Sequence, residues 1–226
     1  MGEAHDRVCR IIRREGSDVG PVEVGFSKNW TFFHPFRKTA PWDHCLAGLC
    51  HSIFNPYVLG AFLGGRRQDS STFLGLNYYG RVRFANGRAL VPVNGFCPTR
   101  LAKMGVVCDD MFERHPTGME LALKRLHQRY RLPIYLTEHG SASGNDEFRA
   151  RDLKENLVAL HRAIAHGVDV RGFFYWSLLD NFEWQFGYAK KFGLVAVDFA
   201  DEKLPRKMKP LGHTYQKLCH ENTLHW

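Results

Sequence analysis

The stretch Pro133-Ile134-Tyr135-Leu136-Thr137-Glu138-His139-Gly140 is an apolar, β-prone run that closes abruptly in a carboxylate and a glycine. Further on, Phe173-Phe174-Tyr175-Trp176-Ser177-Leu178-Leu179-Asp180-Asn181-Phe182-Glu183-Trp184 repeats the pattern, with two acids held between two tryptophans. Acids at strand ends beside aromatic faces suit sugar chemistry: carboxylates attack or hydrogen-bond, and rings pack against a pyranose.

Working outward, strand-like and helix-like segments alternate. Ala4, Val8, Ile11 and Ile12 recur at helical spacing, Val22–Phe26 alternates like a strand, and Trp42, Leu46, Leu49 and Ile53 make a helical stripe that Asn55-Pro56 should end. Phe73–Tyr79 reads as a buried strand with a polar, aromatic end. Asn86-Gly87 marks a hairpin between Val82–Phe84 and Ala89–Val91. Met119, Leu123, Leu126 and Tyr130 form a helix before the strand that ends at Glu138. Leu153, Leu157, Leu160 and Ile164 form another, stopped by Gly167 before the strand Val170–Trp176, and Leu211, Tyr215 and Leu218 close the chain. Apolar strands separated by helices belong to a parallel sheet covered by helices. Polar residues recurring at the strand ends point to the active face of a (β/α)8 barrel. Only four strand–helix units are present, in one domain spanning residues 1–226.

Composition narrows the function classes. At 226 residues and 44% hydrophobic the chain can bury a core. No apolar run is long enough to span a membrane, and the charged start Met1–Arg7 lacks the apolar core of a secretion signal, so a cytoplasmic location is expected. The net charge is +8, but the 31 basic residues are spread along the chain with no nucleic-acid motif, which reads as a solvated basic face rather than a nucleic-acid site. Six cysteines without a Cys-x-x-Cys pair read as buried free thiols, and the sequence implies no metal and no cofactor.

At its strand ends the chain resembles glycoside hydrolase family 1, the β-glucosidase and β-galactosidase family. Thr137-Glu138-His139-Gly140 is similar to the Thr-Glu-Asn-Gly nucleophile motif at the end of strand seven, and Gly75-Leu76-Asn77-Tyr78-Tyr79 to the strand-six motif. Tyr175–Trp184, continued by Gly187-Tyr188-Ala189-Lys190-Lys191-Phe192-Gly193-Leu194, resembles strand eight and its sugar-binding loop. The resemblance implies a retaining β-glycosidase acting on small β-glucosides. Glu138 would be the nucleophile and Tyr79 would tune it. Asn77 would line the subsite, Glu183 would bind sugar hydroxyls, and Trp176, Trp184 and Phe192 would pack against the ring.

The chain departs from the family at two points. His139 stands where the family has Asn, and the Asn-Glu-Pro motif that carries the acid/base glutamate is missing. Asp180 and Glu183 are weak substitutes, because both lie on the strand-eight side. The resemblance therefore implies a half-barrel covering roughly strands five to eight with their helices, the C-terminal half of such an enzyme. Its open edges would invite self-association or a complementary N-terminal half-barrel. The competing reading is a non-catalytic carbohydrate-binding or regulatory protein that keeps the subsites without turnover.

Overall fold

The structure is a computed structural model that describes residues 2–63, 71–92 and 97–223. In chain order the elements are α1 (Gly2–Glu15), β1 (Gly25–Asn29), β2 (Phe32–Pro35), α2 (Pro41–Ser52), α3 (Val58–Leu63), β3 (Phe73–Asn77), β4 (Arg81–Ala85), β5 (Arg88–Leu90), α4 (Thr99–Ala102) and α5 (Pro116–Tyr130). They continue with β6 (Ile134–His139), α6 (Asp146–Ala165), β7 (Val170–Tyr175), β8 (Val195–Val197), β9 (Arg206–Met208) and α7 (Pro210–Glu221).

Four strands form a wholly parallel sheet in the order β1-β3-β6-β7, so spatial order follows chain order. The helices α2, α5, α6 and α7 follow the successive strands. This is the half of a (β/α)8 barrel that the alternation of elements predicts. Two small sheets decorate it, β2-β4-β5 and the β8–β9 hairpin. Among the described residues, no helix is long and apolar enough to cross a membrane.

Alternation along the strands divides two faces. Leu74 and Leu76 of β3 and Ile134 and Leu136 of β6 point to the helices, where they pack with Met119, Leu123 and Leu126 of α5 and Ala159, Leu160 and Ala163 of α6. A second cluster joins Leu153 and Leu157 of α6 to Tyr175, Leu194 and Leu211. The core therefore lies between sheet and helices.

Several expectations change. The first strand lies at 25–29 instead of 22–26, and β2 has no counterpart in the sequence reading. The stripes of the first two helices do not face the core: Val8, Ile11, Ile12, Leu49 and Ile53 are exposed, and Trp42 is 71% exposed. Asn55-Pro56 does not end its helix. A wider π-helical turn over Ile53–Tyr57 absorbs the proline that an α-helical turn would reject and leads into α3. Asn55 secures that turn, its Nδ2 donating to the Thr31 carbonyl at 2.8 Å. The cysteines are not all buried thiols: Cys97 and Cys108 form a disulfide, Cys45 and Cys219 are exposed, and Cys9 alone is fully buried and free. The β4–β5 hairpin does form as the Asn-Gly pair predicts, with Asn86 at φ 53° and Gly87 at φ 76°.

These placements predict opposite outcomes for two large apolar residues. Leu136→Ala opens a cavity in the core and should cost about 2–5 kcal/mol in urea unfolding. Trp42→Ala should stay within about 0.5 kcal/mol of the wild type.

Candidate active site

The β3–β6 ladder pairs Leu76 with Leu136 and then Asn77 with Glu138, which leaves Thr137 as an extra residue. Such a bulge re-aims the side chains beside it. The burial pattern of β6 follows: Leu136 and His139 are buried on the helix side, whereas Thr137 and Glu138 are both partly open. Thr137 Oγ1 donates to Asn77 Oδ1 at 2.6 Å and accepts from Ser27 Oγ at 2.9 Å, so one hydroxyl ties three strands together below Glu138. A side chain at Gly75 would meet Ser27 Oγ at 2.2 Å, which explains the glycine between the tied strands.

Tyr79 Oη donates to Glu138 Oε2 at 2.6 Å. Burial, reinforced by the Glu138 carboxylate, pushes the Tyr79 hydroxyl above its ordinary titration range, so it keeps its proton and donates. Phe112 stacks on the Tyr79 ring with centroids 5.1 Å apart, and Phe192 meets its edge at 6.2 Å. Burial and then the charge of Glu138 raise the Glu183 pKa, so the two carboxyl groups feel each other across the open face.

Phe112 is itself held by a buried carboxylate. Asp109 Oδ1 accepts from the amides of Met111 (2.7 Å) and Phe112 (2.6 Å), and its Oδ2 accepts from Ser141 Oγ (3.1 Å) and the Ala142 amide (2.9 Å). One side chain thus joins the loop over Tyr79 to the loop that follows Glu138. Burial raises its pKa to about 6 against the lowering effect of those amides.

Beyond β7, the Trp176 amide donates to the His139 carbonyl at 2.9 Å. Gly140 lets this crossing happen, because a Cβ there would lie 1.9 Å from the Trp176 carbonyl oxygen. The Trp176–Ser177 peptide is cis. Trp184 is 80% exposed. Phe192 is only 2% exposed, so no face of its ring is free for a pyranose; it backs Tyr79 instead. Buried Arg149 fixes this loop by donating to the carbonyls of Phe192 and Gly193. Asp180 accepts from the Gly193 amide and from Lys209 Nζ, both at 2.9 Å, and is therefore an anchor of the loop. A cavity of about 640 Å3 between Arg149, Asp180, Lys191, Arg206 and Lys209 contains none of Glu138, Tyr79, Asn77 or Glu183. Those four stand on the uncovered inner side of the sheet.

The model of glycosyl hydrolase family 1 matches residues 65–224. The chain belongs to that family. It is 33% identical to a β-galactosidase of Sulfolobus acidocaldarius across 97% of this chain and 46% of that protein. With β-glucosidase A of Acetivibrio thermocellus it shares 38% identity across 97% of this chain and 55% of that one. A galactolipid galactosyltransferase of Arabidopsis thaliana is 35% identical, with 96% of this chain and 32% of that protein covered. Among solved structures, the family 1 β-glucosidase of Thermotoga maritima in complex with isofagomine lactam superposes with a TM-score of 0.75 at 28% identity, covering 98% of this chain and 55% of that one. The chain thus spans about half the length of the curated relatives it matches.

The sequence reading did not single out Ser27, Asp109 or Phe112, and it gave Thr137 no role beyond its place in the motif. Asp109 had a legible signal, since an aspartate whose carboxylate accepts from the amides two and three residues later makes an Asx-type turn. The others become neighbours only through the bulge and the crossing loops. Two outcomes follow for this family 1 site. Gly140→Ala should cost at least about 1–3 kcal/mol in thermal unfolding, because backbone must move. A carboxyl whose pKa is raised on folding stabilises most when protonated. The stability margin of wild type over Asp109→Asn should therefore widen as pH falls from about 7 to about 4, by about 2–3 kcal/mol in chemical denaturation.

Proposed function

We propose that residues 1–226 act as one domain carrying the nucleophile half of a retaining β-glycosidase for small β-glucosides. The observation that supports this reading best is the 2.6 Å hydrogen bond from Tyr79 to Glu138 at the C-terminal ends of adjacent parallel strands. In this reading Glu138 attacks the anomeric carbon, the bond to the aglycone oxygen breaks, and a glycosyl–enzyme ester forms that water then hydrolyses. Tyr79, a permanent donor, orients the attacking oxygen. Glu183 accepts hydrogen bonds from sugar hydroxyls, Trp176 and Trp184 offer ring faces, and Asn77 lines the same subsite through a carbonyl already held by Thr137.

Retaining hydrolysis also needs a carboxylic acid about 5–5.5 Å from the nucleophile to protonate the leaving oxygen. Asp180 is committed to Gly193 and Lys209. With Glu183 assigned to the sugar hydroxyls, this reading takes the acid from outside this chain, from a complementary half-barrel bearing the other four strands or from a second copy on the open edges. The likeness to the galactolipid galactosyltransferase supports a second reading, in which a sugar hydroxyl replaces water in the second step. The same Glu138 serves both.

An aryl glucoside whose leaving group departs without protonation isolates the role of Glu138. The purified chain should turn over 2,4-dinitrophenyl β-glucoside, and Glu138→Gln should lower the rate by roughly a thousandfold or more. A folded chain with no turnover, but with retained sugar affinity, would instead be a carbohydrate-binding half-barrel.

A further inference from the structure

His139, the residue after the nucleophile, is fully buried, and its ring sits between two acceptors. Its Nδ1 lies 2.8 Å from the Tyr78 carbonyl oxygen, and its Nε2 lies 3.4 Å from Asp152 Oδ2 on α6. A carbonyl cannot donate, so Nδ1 carries the proton that holds Tyr78, while Nε2 makes no hydrogen bond among the described residues and faces the carboxylate. Asp152 is anchored in turn, its Oδ1 accepting from Arg114 Nε at 2.7 Å and from Asn156 Nδ2 at 3.2 Å. Burial alone would raise the Asp152 carboxyl, but His139 and then Arg114 hold it below its usual range.

The consequence lies on β3. The Tyr78 amide donates to the Glu138 carbonyl at 2.9 Å, and the Tyr78 carbonyl accepts from the His139 ring. Both polar groups of Tyr78 are therefore taken by the two central residues of the nucleophile motif, just past the point where the regular ladder stops. The peptide bond leading into Tyr79 is pinned, and Tyr79 is the residue whose hydroxyl holds Glu138. Phe173 closes the seat, its ring 5.9 Å from that of His139.

We propose that His139 is a positioning residue: its Nδ1–H clamps the Tyr78 carbonyl, with Nε2 facing Asp152 behind it, and so fixes Tyr79 against Glu138. This role rests on Glu138 being the nucleophile. The side chain leaves the opposite face of the strand from Glu138, so it touches no substrate. It acts only through Tyr79.

The test compares wild type with His139→Asn, which keeps one donor, and Asp152→Asn, which keeps the shape and removes the charge. In wild type, proton–nitrogen NMR should show a ring Nδ1–H on His139 and a downfield hydroxyl proton that Tyr79→Phe abolishes. Both clamp variants should keep the wild-type circular dichroism, lose the downfield proton, and be labelled at Glu138 by 2-deoxy-2-fluoroglucosyl fluoride roughly ten- to a hundredfold more slowly. Persistence of the hydroxyl proton in both folded variants, or a His139 ring without a proton on Nδ1, overturns the proposal. If one variant fails to fold, the other decides by the same criteria. Wild type that shows the NMR pattern yet is never labelled would overturn the catalytic reading of Glu138 and leave the clamp standing.

Discussion

Thr137 is one residue more than the β3–β6 ladder can pair. With a side-chain period of two, that surplus reverses the alternation at the strand end. Glu138 then opens to the inner face while His139 enters the helix layer. The same step brings Asn77 opposite Glu138 and puts the Thr137 hydroxyl between Asn77 and Ser27. Without it Glu138 would point into the cluster around Leu136 and Met119, where an unpaired carboxylate would be costly.

The loops over the site are held by buried charges rather than by apolar area. Glu113 is almost fully buried between Arg81 at 2.5 Å and Arg83 at 2.8 Å, which anchors the loop bearing Phe112 to β4. Arg114, the next residue, reaches Asp152 on α6 at 2.7 Å. Lys190 pairs with Asp110 at 3.2 Å and joins the loop after β7 to the same segment. Each buried ion is satisfied by a partner on a different element, so the pairs set loop positions more than they add net stability. Asp109 completes this frame with a carboxylate whose four donors come from two loops.

The barrel half was legible because its strands and helices obey local rules. The period-two and period-3.6 patterns around β3, α5, β6, α6 and β7 are created by the same burial that forms them. Reading failed where burial is decided from a distance. Val8, Trp42 and Leu49 keep helical spacing yet face outward, since periodicity names a stripe without saying what covers it. The run 53–57 defeated the proline rule because the turn widened to take Pro56. At the site, Glu138 and Tyr79 were visible as strand-end residues, and their side chains meet in a hydrogen bond. Phe192 looked like a sugar platform because exposure cannot be read from an aromatic letter, and Arg149 draws its backbone inward. Cys97 and Cys108 follow no recognised spacing, and chain separation alone does not reveal that loops bring them together.

Gly140 gives the segment an uneven freedom to vary. Its α-carbon lies against the Trp176 carbonyl, so any larger residue there must displace main chain. Position 139, one step earlier, projects into a side-chain pocket lined by α6 and β7, where a replacement disturbs side chains rather than main chain. Within this motif, substitution is thus sterically milder at 139 than at 140. Diversity among such chains would accumulate behind the acid, in the layer that supports it, while the surface presented to a sugar stays the same.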